Sequence, residues 1–346
     1  MTRFQKPMRL RPGDTVAVLS PSWGGPSVYP AVFDLGLANL RDLLGVEVKE
    51  YPTTRMATAG LHGNPRRRAE DVNSAFADPG VKAIISSIGG DDSVRLLPYL
   101  DAEAIAANPK ILMGFSDTTT LLAYATQQGL VTFNGPSVMA GFAQQKTLPP
   151  AFAEHVRQML MEPTEGHVYA PYPERVVEWQ RWETPGYTGE VTFAPNGGWR
   201  WLQGEAVIQG PLFGGCIEVL EFLKSTDWWP PYGFWAGKIL FLETSEEKPT
   251  RDQVKYMLRN YGMQGVFDQI MGLLFARPQA YTSEERETLF QVIVGVVAGE
   301  FGRPDLPIIA EMDFGHEGPQ SILPLGVMAE IDCTHRTFRL VESCIR

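Results

Sequence analysis

The chain of 346 residues is poor in cysteine, holding only Cys216, Cys333 and Cys344. So sparse and odd a set supports no disulfide framework and fits a reducing compartment. The five histidines are scattered, with no HExxH pair and no paired-cysteine spacing, so no metal is expected. No apolar run reaches the length of a membrane span. The opening stretch, Met1-Thr-Arg-Phe-Gln-Lys-Pro7, holds no apolar segment of the signal-peptide kind. Long basic runs are missing too, and the net charge is -10. A nucleic-acid surface needs clustered Lys and Arg, so none is expected. The densest basic spot, Arg66-Arg67-Arg68, shares a helical pattern with Glu70 and Asp71 and reads as a solvated face. The stretch Ser20 to Pro26 lacks GxGxxG, which removes the dinucleotide fingerprint.

What is present is an ordinary globular balance, 44% hydrophobic and 20% charged, in a chain long enough for two domains. Up to Phe133, short apolar runs alternate with helical patterns. Strands are expected at Thr15–Leu19, Val46–Tyr51, Val81–Ile88, Ile111–Met113 and Val131–Phe133. Helices are expected at 31–44, 65–77, 94–100, 102–107 and 118–128. This alternation predicts an α/β unit with a mainly parallel sheet, whose ligands sit beyond the carboxyl ends of the strands. Gly89-Gly90 and Ser116 fall at two such ends. A Gly-Gly pair lets backbone approach a ligand closely, or simply makes a tight turn. Ser116 sits between strand and helix, as a nucleophile at a sharp turn would; Ser116 or Asp117 could equally cap the helix.

From Leu148 to Gly198 prolines punctuate the chain and tryptophans appear at 179 and 182, followed by 199 and 201. The expected division is an N-terminal domain over 1–165, a linker over 166–185 and a C-terminal domain over 186–346. The tryptophans are either core or the lining of a pocket for a flat group. Asn196-Gly197-Gly198 beside Trp199 suggests a mobile loop. Further on, strands are expected at 238–243, 269–275 and 306–311, with a hairpin around Cys333-Thr334-His335. Thr282 and Glu285 form a capping box. Cys216 opens a helix, but no neighbouring base marks it as an activated thiol.

Ser116, Glu243 and His316 thus stand at or just beyond strand ends. A serine nucleophile needs a base, and the base needs an anion to hold its tautomer. Taken singly, Glu243 could be a loop carboxylate and His316 a turn histidine. The chain order also occurs in α/β-hydrolases, but Gly114-Phe-Ser-Asp-Thr118 has Thr where their elbow has its second Gly.

Taken together the motifs resemble the serine peptidases of the LD-carboxypeptidase type, peptidase family S66. They are Gly13-Asp-Thr15 with Pro21-Ser22, Gly89-Gly90 with Leu96-Leu-Pro-Tyr-Leu-Asp101, the Gly114–Thr118 elbow, Asn134-Gly-Pro136, Gly214-Gly215, Glu243 and Gly315-His316. The resemblance covers nearly the whole chain. It implies a flavodoxin-like parallel-sheet domain followed by a strand-rich, barrel-like α/β domain, with the site in the cleft between. It also implies a cytoplasmic, homodimeric enzyme without metal or cofactor. Ser116 would attack, His316 relay the proton and Glu243 orient it, with the N–H groups of Gly90 and Asp117 as oxyanion hole.

One branch of the family trims terminal D-alanine from murein tetrapeptides. The other resembles the microcin C self-immunity peptidases, which cleave an aminoacyl group from a nucleotide sulfamate or phosphoramidate. The long segment before Glu243, the Asn196–Trp201 stretch and Glu243-Thr-Ser-Glu-Glu-Lys248 lean towards the second. Trp199 or Trp201 would then stack on the nucleobase, with Gly89 and Lys248 as further substrate contacts. Cys216 stands where many relatives carry an asparagine. The expected partner is a small peptidyl- or aminoacyl-nucleotide; a muropeptide is the alternative, and a non-catalytic small-molecule binding module a third reading.

Overall fold

The computed structural model describes residues 4–346; the first three residues of the N-terminal stretch discussed above lie outside them. Five short strands build the first sheet: β1 (Thr15–Leu19), β2 (Glu47–Glu50), β3 (Val81–Ser86), β4 (Ile111–Gly114) and β5 (Thr132–Asn134). They run parallel in the order β2-β1-β3-β4-β5. That is the flavodoxin-like order, whose direction reverses between β1 and β3 and leaves a crevice at their carboxyl ends. Every residue of β4 is buried, because helices cover both faces of a parallel sheet. Each of Ile111, Leu112 and Met113 thereby contributes about 1.5–3 kcal/mol. The edge strand β2 is largely exposed and correspondingly polar, Glu-Val-Lys-Glu.

The second sheet has eight strands and mixed directions. At its centre Val207–Cys216, Ile239–Glu243, Gly272–Ala276 and Ile308–Met312 lie parallel. Both strand-terminal residues that matter most for chemistry, Gly114 and Glu243, therefore end buried parallel strands. The helix Ser283–Val294 begins with both arms of the Thr282/Glu285 capping box in place.

Two features depart from the division expected from the sequence. The stretch 166–185 is not a bare linker: Val168–Tyr169 pairs with Thr337–Leu340 at the edge of the second sheet. Glu174–Trp179 forms a hairpin with Val191–Pro195. Conversely, Leu323–Leu325, deep in the C-terminal half, returns to the first sheet and pairs antiparallel with β5. The two halves are thus joined by backbone pairing as well as by packing. Arg68 also differs from the solvated face expected of 66–68. Its neighbours Arg66 and Arg67 are exposed, but Arg68 is buried, donating to Pro21 O at 2.7 Å and to Asp92 Oδ2 at 2.8 Å. It ties the loop after β1 to the loop after β3. Among the described residues no helix is long and apolar enough to cross a membrane.

Candidate active site

Ser116 follows β4 through Phe115 and opens a short 3-10 turn leading into the helix Thr119–Gln127. Its φ of 57° is a left-handed conformation that a non-glycine residue adopts at a cost, as at a nucleophile elbow. Gly89 lies against it: a Cβ at 89 would come within 2.8 Å of both Cβ and Oγ of Ser116. Only glycine leaves the hydroxyl its space. Asp117 is fully buried, and its carboxylate accepts the N–H groups of Asp92 at 3.0 Å and Ser93 at 2.8 Å. Burial pushes that carboxyl up, opposed by the hydrogen bonds it accepts. Its side chain therefore pins the Gly89–Ser93 loop to the elbow, with Gly89 against Ser116 and the Asp117 N–H, and Gly90 next to it against Ser22 and Trp23. The loop after β1 joins them, with Trp23 N–H donating to Gly89 O at 3.2 Å.

His316 arrives from the other half of the molecule, four residues beyond the strand Ile308–Met312. Its Nδ1 is 2.6 Å from Oε2 of Glu243, which is completely buried at the end of its strand. Gly315, at φ 83°, makes this approach possible, since a Cβ there would lie 2.1 Å from the same oxygen. The His316 ring meets Phe115 edge-on, 4.9 Å between centroids. A second carboxylate, Glu246, lies 3.0 Å from Nε2. Burial alone would lower the imidazole's pKa, but the charge and hydrogen bond of Glu243, joined by Glu246, raise it to about 10.

Ser116 and His316 line one cleft of about 670 Å³, together with Gly89, Gly90, Glu246 and Glu247. That volume suits a ligand of nucleotide or short-peptide size. Part of its lining is aromatic: Trp23, Trp179 and Trp182, with Arg181 beside them in the chain. Trp23 and Trp182 are nearly parallel, 6.2 Å between centroids and 12° apart.

The tryptophans expected to meet a ligand are elsewhere. Trp199 donates from Nε1 to Oδ2 of Asp313 at 2.7 Å and packs edge-on against Phe338. Trp201 belongs to the strand Arg200–Gln203, paired with Ile308–Met312. Neither lines the cleft, and the Asn196–Trp199 stretch is latched: Asn196 bonds Asp313 at 2.8 Å and Arg277 at 2.8 Å. A loop so held by buried ionic groups is not the mobile one its glycines suggest. Lys248 is likewise turned away, 2.9 Å from Glu285. Cys216 is buried, which pushes its thiol well above the usual range and removes it as a nucleophile. Of the cleft tryptophans only Trp23 carries a signal in the sequence, its position just beyond β1 at the point where strand order reverses.

Comparison with known proteins points the same way. The pattern of the LD-carboxypeptidase N-terminal domain matches residues 16–135, and that of the LD-carboxypeptidase C-terminal domain matches 209–331. The chain is 29% identical to the microcin C7 self-immunity protein MccF of Escherichia coli, over 95% of this chain and 94% of that one. It is also 29% identical to a protein of Bacillus subtilis named "Probable murein peptide carboxypeptidase", over 96% and 93%. Among solved structures, MccF in complex with aspartyl sulfamoyl adenosine superposes with a TM-score of 0.86 at 26% identity, covering 99% of this chain and 100% of that one. An MccF-like protein of Streptococcus pneumoniae in complex with AMP gives 0.84 at 28%, covering 95% and 98%.

Proposed function

Because the chain belongs to the LD-carboxypeptidase family, and so is an enzyme of the serine-peptidase type, we propose that it hydrolyses aminoacyl- or peptidyl-nucleotides of the microcin C kind. The observation that carries this reading is the aromatic wall of Trp23, Trp179 and Trp182 in the same cleft as Ser116 and His316. A flat, π-rich group stacks on such a wall, and base–aromatic stacking tolerates any base. The complexes of MccF with aspartyl sulfamoyl adenosine and of its Streptococcus pneumoniae likeness with AMP support the same substrate class.

In this reading Ser116 Oγ attacks the acyl carbonyl and His316 Nε2 takes its proton. Glu243 holds Nδ1–H and balances the imidazolium charge. The N–H groups of Gly90 and Asp117 receive the oxyanion, a contribution of roughly 10²–10³ in rate per donor. His316 then protonates the leaving nitrogen of the sulfamate or phosphoramidate. Water, activated by the same imidazole, releases the amino acid from Ser116.

The test sets aspartyl-sulfamoyl-adenosine beside a murein tetrapeptide ending in D-alanine, with Ser116→Ala as blank and products read by mass spectrometry. Cleavage of the nucleotide alone supports the reading. Release of D-alanine alone overturns it in favour of murein peptide carboxypeptidase activity, the activity in the Bacillus subtilis relative's name.

A further inference from the structure

The nitrogen of His316 that must face the nucleophile is already occupied. Glu246 Oε2 lies 3.0 Å from Nε2, while Glu243 Oε2 holds Nδ1 at 2.6 Å. An imidazole bonded to carboxylates through both nitrogens carries both protons and cannot accept a third. The two carboxylates differ in freedom. Glu243 is wholly buried, whereas the side chain of Glu246, on the turn that follows the strand, already lines the cleft and is 64% exposed, with room to change partner. Beside it Glu247 also lines the cleft, as does Asp91, whereas Arg181 stands with the tryptophans. The cleft thus carries three carboxylates, with Glu246 at the histidine, and one guanidinium among its tryptophans.

We propose that Glu246 is a specificity-determining residue: it caps His316 in the free enzyme and releases it to pair with a cationic group, the free α-ammonium, on the acyl side of the substrate. This rests on the serine-peptidase reading of Ser116 and His316 and deepens it towards the acyl residue. A substrate carrying an ammonium next to the scissile carbonyl gives Glu246 a new partner; without that carboxylate the imidazole holds its second proton less tightly, the proton leaves Nε2 for solvent water, and the neutral ring can take the serine proton. A substrate whose amine is acylated offers none, so the cap stays. Arg181 and the tryptophans would hold the nucleotide.

The experiment uses α-aminoalkyl diphenylphosphonates, with the amine free or N-acetylated. Ser116 Oγ forms a bond to phosphorus, one phenoxide leaves, and the serine proton passes through His316 to give phenol. Labelling rates of the intact protein are followed by mass spectrometry. The wild type is expected to react faster with the free amine by about tenfold, the worth of one charge-assisted hydrogen bond. Glu246→Gln should bring that ratio close to one, with the N-acetyl probe reacting faster than on the wild type. Glu246→Asp should keep part of the preference. An unchanged ratio in Glu246→Gln, or a wild type that favours the N-acetyl probe, overturns the proposal. The probes contain no nucleotide. Rapid labelling with no cleavage of aspartyl-sulfamoyl-adenosine would therefore sink the substrate class and leave the role of Glu246 standing. No labelling of Ser116 by either probe would overturn both.

Discussion

Arg277 and Asp313 form a buried ion pair, Nη2 to Oδ1 at 2.9 Å, three residues ahead of His316. Arg277 also reaches Oε2 of Glu311 at 3.1 Å, and Asp313 takes hydrogen bonds from Asn196 and Trp199. The segment that carries His316 is therefore fixed from behind by a charge network with almost no solvent. Replacing Asp313 with Ala leaves Arg277 without its nearest buried counter-charge. The expected loss is about 1–3 kcal/mol of stability, read by urea denaturation, because Arg277 keeps Glu311 at 3.1 Å and Glu317 at 3.6 Å while the donors of Asn196 and Trp199 lose their buried acceptor. A loss below 1 kcal/mol would mean that water reaches Arg277.

Glu243 and Gly315 should behave as one functional unit although their chemistry differs. Glu243→Gln removes the anion that holds Nδ1–H, and an expected fall in kcat of roughly 10²–10⁴ follows from general-base precedent. Gly315→Ala keeps the carboxylate but places a Cβ 2.1 Å from its oxygen, at a φ that alanine resists. Its kcat should fall into the same range. Near-normal turnover of Gly315→Ala would show that the His316 turn can shift without losing function.

Much of this was legible in the sequence, for identifiable reasons. The central strands β1 and β4 are short apolar runs whose burial on both faces leaves no charged interruption, whereas the exposed edge strand β2, Glu-Val-Lys-Glu, was legible by its alternation. Ser116, Glu243 and His316 could be singled out because a polar residue just past a buried strand needs a reason to be there. What escaped was decided by distant contacts. Arg68 looks like Arg66 and Arg67 in sequence, and only the meeting of the loops after β1 and β3 gives it Pro21 O and Asp92. The return of Leu323–Leu325 to β5 joins residues almost two hundred positions apart. Trp199 sits in a Gly-rich stretch that reads as mobile until Asp313 is known to be underneath it.

The doubly bonded imidazole sets two pH expectations. Glu243 and Glu246 raise His316 from 6.5 to about 10, against the effect of burial. A group whose pKa is raised by folding stabilises the fold fully below its unfolded value and loses that contribution as pH passes its folded value. Melting temperature should therefore decline between about pH 6.5 and about pH 10, and a His316→Gln protein should lack that part of the decline. Activity runs in the opposite sense, since only the neutral ring can take the serine proton. On an N-acetylated substrate kcat/KM should climb towards alkaline pH, and Glu246→Gln should move the climb to lower pH. A limb that stays in place in that variant would show that Glu243 alone sets the titration.

Trp182 and Trp199 supply the contrast that separates ligand binding from packing. Trp182 lines the cleft, lies parallel to Trp23 and meets Tyr29 edge-on, 5.4 Å between centroids. Tyr29 in turn donates to Glu183 at 2.8 Å, so the 180–183 segment rests on the loop after β1. Trp182→Ala removes a stacking face worth about 1–3 kcal/mol per base, and KM for aspartyl-sulfamoyl-adenosine should rise roughly ten- to a hundredfold. A murein tetrapeptide has no base to stack, so its binding should change far less. Trp199→Ala should do the reverse. It strips Asp313 of a hydrogen-bond donor and Phe338 of its edge contact, lowering the melting temperature while KM stays near the wild-type value. Isothermal titration of AMP into the two variants decides the assignment without turnover. Weakened binding in Trp199→Ala with intact binding in Trp182→Ala would return the stacking role to the 196–201 segment.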